Sequence, residues 1–289
     1  MSGTTSSERG REMGMVTIAV TSGKGGVGKT SVVVNLAVAL ARLRHRVAIL
    51  DADFGLGNVD VLLGLTPAFH LGHLLAGEKT LDDIMVTGPF GVRVIPASSG
   101  LRELTALTAL QWRRLNAACD TLDQELDFLL IDTAPGISDN VIDMLQGSGR
   151  VVVVTSLEPS AVVDAYAVIK ILTTAEPDKA IGLLVNGARS ETEARTAFRQ
   201  LDVAAQRFLG RTLRYDGFIP RDPGMRESVL AQRPVVDHLP QSPASRGFRA
   251  LASRMVKLEP PDGGCGLRLW AAGRYPAGHS TDAEVPQCA

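Results

Sequence analysis

Two lysines bracket a glycine-rich run in Ser22-Gly23-Lys24-Gly25-Gly26-Val27-Gly28-Lys29-Thr30-Ser31. An apolar, strand-like segment, Val16–Thr21, precedes it, and a helix-like pattern continues through Leu40. Strand, glycine loop and helix together are what a phosphate-binding loop needs. The glycines let backbone N–H groups turn toward phosphate oxygens. The helix N-terminus adds partial positive charge. In this pattern Lys29 reaches the β- and γ-phosphates and the Thr30 hydroxyl ligates Mg²⁺. Gly23 to Ser31 are therefore the candidate nucleotide-binding residues. Lys24 is surplus to a simple phosphate cradle.

Further candidates fall where apolar runs end. Asp51 and Asp53 follow Arg46-Val47-Ala48-Ile49-Leu50. A carboxylate near a γ-phosphate orients an attacking water or holds Mg²⁺-bound water. Asp53 is the candidate water-orienting residue, and Asp51 the candidate outer Mg²⁺ partner. Either also suits a turn cap. Asp132 ends Phe128-Leu129-Leu130-Ile131 and opens Thr133-Ala134-Pro135-Gly136. That is the place of a metal-side Asp and a γ-phosphate switch, with the Gly136 N–H as sensor. Asn186 ends Gly182-Leu183-Leu184-Val185, and its amide both donates to and accepts from an adenine edge. A guanine site would want an acidic residue three positions on; here that residue is Arg189. ATP is thus favoured over GTP. Pro220 and Asp222 follow the last apolar run, where they either close over the base or form the turn before a helix at Pro223.

These residues need a scaffold of strands ending on one side. Continuous apolar runs fit parallel strands covered on both faces. They recur at Val92–Ile95, Val151–Thr155 and Tyr215–Ile219, with helical patterns around residues 111–123, 160–175 and 191–209. The alternation predicts an α/β fold: one doubly wound, mostly parallel sheet flanked by helices. Residues 1–14 read as a flexible arm and 15–258 as the nucleotide domain. Residues 259–289 read as a Gly/Pro/Ala-rich tail, expected to be disordered or loosely attached.

Composition narrows the function classes. The 289 residues carry 30 basic and 31 acidic side chains, a net charge of −1. This gives no global electrostatic case for direct DNA binding. Cys119, Cys265 and Cys288 lack metal-ligand spacing and fit a reducing cytosol. The N-terminus has no apolar core of a secretory signal. No stretch reaches the roughly 20 apolar residues of a membrane span.

The loop Lys24-Gly25-Gly26-Val27-Gly28-Lys29-Thr30 resembles the deviant Walker A motif of the MinD/ParA/nitrogenase-iron-protein class. In that class the early lysine crosses a dimer interface to the partner's nucleotide. Asp51-Ala52-Asp53-Phe54-Gly55-Leu56-Gly57-Asn58 is shared with MinD. Three strings are more similar to the flagellar MinD-like family FlhG, also called FleN or YlxH. They are Leu62-Leu63-Gly64-Leu65-Thr66-Pro67, Ile95-Pro96-Ala97-Ser98-Ser99-Gly100 and Asp164-Ala165-Tyr166. The resemblance runs from about residue 13 to 258. It implies a slow, Mg²⁺-dependent ATPase that forms a homodimer with ATP. It further implies control of flagellar number or placement from the cytoplasm, peripherally on the inner face of the cell membrane. The family's partners are an FlhF-type GTPase, basal-body proteins and a FleQ-type transcription regulator. By the same resemblance Lys24, Glu158 and Asp164 lie at the dimer face. The family's N-terminal FlhF-stimulating motif has no match in residues 1–15.

Residues 244–258 place Phe248, Leu251 and Met255 on one helical face, with Arg246, Arg249, Arg254 and Lys257 largely off it. Such a helix either lies on an anionic membrane surface or closes the core. With the resemblance, the expectation is membrane contact through Phe248, Leu251 and Met255. The alternative function is a ParA/MinD-type partitioning or division-site positioning ATPase. On a DNA-binding version of it, Arg189, Arg195, Arg199, Arg207, Arg211 and Arg214 would form the basic surface.

Overall fold

The computed structural model describes residues 14–97 and 107–258. The predicted arm up to residue 13, the tail from 259, and residues 98–100 of the family string lie outside these described residues. In chain order the strands are β1 (Val16–Thr21), β2 (Val47–Ala52), β3 (Val86–Thr87), β4 (Arg93–Ile95), β5 (Phe128–Thr133), β6 (Arg150–Thr155), β7 (Ile181–Ala188) and β8 (Arg214–Pro220). The helices are α1 (Lys29–Arg42), α2 (Val59–Leu63), α3 (Leu71–Ala76), α4 (Leu81–Ile84), α5 (Ala109–Asp120) and α6 (Asp139–Gly147). They continue with α7 (Pro159–Ala175), α8 (Glu191–Leu209), α9 (Pro223–Leu230), α10 (Val235–His238) and α11 (Pro243–Met255).

The strands form one sheet in the order β3-β4-β2-β5-β1-β6-β7-β8. Its pairings are parallel apart from the short β3, which runs antiparallel to β4 at the edge. Side-chain alternation splits the core in two. Ile18 and Val20 of β1 pack with α1, α10 and α11. Met15 and Ala19 pack on the other face with α5, α6 and α7. Both faces are covered, which is why the strands read as continuous apolar runs.

Local sequence explains the element ends. α1 contains Val32-Val33-Val34, a β-branched run that disfavours a helix by tenths of a kcal/mol per residue. Each of these valines is buried, and burial is worth about 1.5 kcal/mol or more apiece, so packing wins. α5 starts two residues earlier than its sequence pattern suggests. The Thr108 side chain accepts from the Gln111 N–H, and Gln111 reaches back to Thr108. α8 starts on Ser190 and stops at Gly210, whose φ is 63°.

α11 corrects the membrane expectation. Phe248, Leu251 and Met255 are 0%, 1% and 0% exposed and pack in the core against α1 and β8. The helix is also tied at both ends. Asp222 accepts from the Ala244 N–H at 2.9 Å, and Arg254 donates to the Asp216 carbonyl at 2.8 Å. Baring three large side chains would cost about 5 kcal/mol or more. The amphipathic pattern here marks a closing core helix.

Candidate functional site

The site lies at the carboxyl ends of the central strands, where ligands of open α/β sheets bind. β1 delivers the glycine loop. Gly26 (φ 82°) and Gly28 (φ 89°) take left-handed conformations that side chains resist, and Gly28 caps α1. Gly23 is needed for a different reason. A Cβ there would strike the Asp164 backbone, so α7 packs directly on the start of the loop.

Lys29 opens α1 and points inward. Its Nζ is 3.4 Å from Asp132 Oδ1, with both side chains buried. The Thr30 side chain lies near enough to the same carboxylate to favour its charged form. Burial raises the Asp132 pKa, against the opposing pull of Lys29 and Thr30. The other Asp132 oxygen, Oδ2, is buried without a hydrogen-bond partner. Asp51 stands beside Asp132 in register on β2. It accepts from the Val59 and Asp53 N–H groups, each at 3.2 Å. Burial, then the negative charge of Asp132, pushes the Asp51 pKa up to about 8. Thr30, Asp132 and Asp51 supply hard oxygens, one of them unpartnered, as Mg²⁺ prefers. The donor set fits that ion.

Other candidates are in place but engaged. Asp53 accepts from the Leu56 N–H at 3.2 Å and so closes its own turn. The Gly136 N–H donates to the Ser22 carbonyl at 2.9 Å, linking the β5 loop to the glycine loop. Asn186 Nδ2 donates to the Val27 carbonyl at 2.7 Å. Pro220 ends β8 beside Ala188 of β7. Asp222 caps two helices, accepting from Gly224 and Ala244. Burial raises its pKa, but those amides outweigh it and hold the carboxyl below its usual range.

Lys24 points away from the phosphate cradle. Its Nζ lies 2.7 Å from Glu158 Oε2 and donates to Ser160 Oγ at 3.0 Å. Ser160 was not singled out from the sequence. The available signal was Glu158-Pro159, a proline at the first helical position, which places Ser160 in the first turn of α7.

Three of the arginines after Asn186 are engaged within the chain. Arg195 pairs with Glu191 and lies over the Tyr215 ring. Arg211 donates to the Pro177 carbonyl, and Arg214 pairs with the buried Asp216. Cys119 is fully buried on α5, and burial pushes its pKa up to about 12. That environment suits a packed thiol, and no metal-ligand role follows.

Comparison with known proteins agrees with this geometry. The ParA family model, described as "NUBPL iron-transfer P-loop NTPase", matches residues 15–256. The antiactivator FleN of Pseudomonas aeruginosa is 44% identical over 238 residues, 82% of this chain and 85% of that protein. The flagellum site-determining protein YlxH of Helicobacter pylori is 32% identical over 249 residues, 84% of this chain and 82% of that protein. The septum site-determining protein MinD of Pyrococcus horikoshii, solved with Mg-ADP, superposes with a TM-score of 0.72 at 28% identity. That match covers 84% of this chain and 96% of the MinD chain.

Fold and site together define a P-loop NTPase of the MinD type. The chain belongs to the ParA family, and within it to the group of MinD-like ATPases that contains FleN and YlxH.

Proposed function

We propose that this protein is an ATP-switched homodimer that sets flagellar number or placement. One observation carries the reading. Lys29, Thr30, Asp132 and Asp51 converge on the phosphate end of the loop, while Lys24 sits outside it, held at the rim by Glu158. The relative YlxH, a flagellum site-determining protein by name, supports the flagellar role.

The residues divide the work. The glycine-loop amides and Lys29 bind the triphosphate. Thr30 and Asp132 would hold Mg²⁺, with Asp51 behind them; a bound ion would supply positive charge against the phosphates. Asp53 orients the attacking water once its turn opens. The Gly136 N–H exchanges the Ser22 carbonyl for the γ-phosphate and returns after hydrolysis. Lys24 leaves Glu158 and reaches the partner's nucleotide. An FlhF-type GTPase, basal-body proteins or a FleQ-type regulator would read the dimer. Membrane association in the ATP state belongs to the same reading, through a surface other than the Phe248–Met255 face.

Light scattering after size exclusion, with Mg-ADP and with Mg-ATP, tests the switch. A dimer with ATP alone is expected. A mass indifferent to nucleotide would refute it. Vesicle sedimentation under the same two nucleotides tests the membrane step, and equal pelleting with ADP and ATP counts against it.

A further inference from the structure

Asn186 stands at the carboxyl end of β7, paired with Ile219 of β8. β7 is held between β6 and β8, so this position is fixed by the sheet. From there Nδ2 crosses to the glycine loop and donates to the Val27 carbonyl at 2.7 Å. The next residue, Gly28, has a φ of 89° and caps α1. A Cβ built on Gly28 would collide with the same Nδ2. The tightest turn of the loop therefore rests directly against this amide.

We infer that Asn186 is a positioning residue for the phosphate-binding loop, fixing its shape before nucleotide arrives. This rests on the nucleotide-site reading above and adds a role separate from base recognition. The physical need is plain. A loop with four glycines in residues 23–28 has much conformational freedom to lose. Ordering a backbone residue costs about 1–2 kcal/mol, and a tether from a rigid strand removes part of that cost before binding. The amide suits both tasks. One N–H is spent on Val27, and Oδ1 stays available to accept from the exocyclic amine of adenine. An Asp here would set one acceptor against another.

Inorganic tripolyphosphate separates the two roles because it has no base. Affinities of Mg-tripolyphosphate and Mg-ATP are measured calorimetrically on the full chain, for wild type, Asn186→Ala and Asn186→Asp. The tether predicts that both variants lose about five- to tenfold in affinity for tripolyphosphate as well as for ATP, the weight of one hydrogen bond. It also predicts faster amide exchange across residues 23–28 in the nucleotide-free variants. Should Asn186→Ala fail to fold, the isosteric Asn186→Asp carries the test. Weaker ATP binding with unchanged tripolyphosphate affinity and unchanged loop exchange would overturn the tether and leave a base reader. Wild type that binds neither compound would overturn the nucleotide-site reading itself.

Discussion

Lys24 Nζ is bonded to Glu158 Oε2 of its own chain, 2.7 Å away and 134 residues distant in sequence. The lysine proposed to serve a partner is thus held by an intramolecular carboxylate. The two side chains are 40% and 66% exposed, and an exposed pair of this kind contributes about 0–1 kcal/mol. It is weak enough to exchange. Glu158→Gln is expected to leave the melting temperature within about 2 °C of wild type. Lys24→Ala is expected to have the same stability and yet no ATP-dependent dimer by light scattering. A Lys24→Ala protein that dimerises as wild type does would remove the trans role.

Asp53 closes its own turn through the Leu56 N–H, and Asp51 lies behind it. Asp53→Ala removes the water-orienting carboxylate without disturbing the buried Asp51–Asp132 pair. Phosphate release should fall at least about 100-fold, the lower range for a positioned general base, with ATP affinity within a few fold of wild type. The ATP-bound dimer then accumulates. Hydrolysis at the wild-type rate would assign the water to another group.

Phe248 and Leu251 fill the space between α1 and β8. Truncating them leaves core cavities. Phe248→Ala should destabilise by about 3–5 kcal/mol and Leu251→Ala by about 2–5 kcal/mol, measured by denaturant titration. Lost vesicle binding by either variant would then follow from lost fold. A change below 0.5 kcal/mol for both would contradict the buried placement.

That helix shows where sequence is informative and where it stops. Its periodicity gave the element and its apolar face, but the expected membrane contact gave way to core packing. Periodicity is silent on what covers the face, because lipid and a neighbouring helix select the same side chains. The sheet was legible because parallel strands buried on both faces leave continuous apolar runs, as in Val151–Thr155. The two-residue β3 and the short α2, α3 and α4 are too brief to carry a period. In the site, residue types and strand ends located Lys29, Asp132, Asn186 and Asp51. The pairings Lys24–Glu158, Gly136–Ser22 and Asn186–Val27 join distant segments, and only the folded chain sets those distances.

Asp51 ties the site to pH. Its folded-state pKa is about 8, above the unfolded value of about 4. Between those values the folded chain binds more protons than the unfolded one, so this residue makes stability fall as pH rises. Asp132, also raised by burial, has the same sign. Asp51→Asn removes the Asp51 part and keeps an acceptor for the Val59 or Asp53 N–H. In chelator without nucleotide, the variant should gain on wild type as pH goes from 5 to 7. Each pH unit inside the window is worth up to about 1.4 kcal/mol, and 1 kcal/mol moves a chain of this size by roughly 2–4 °C. A widening of at least about 2 °C in melting temperature is therefore expected. Parallel melting curves across this range would mean that Asp51 is already ionised in the nucleotide-free protein, with a cation or a rearranged Asp132 offsetting its charge.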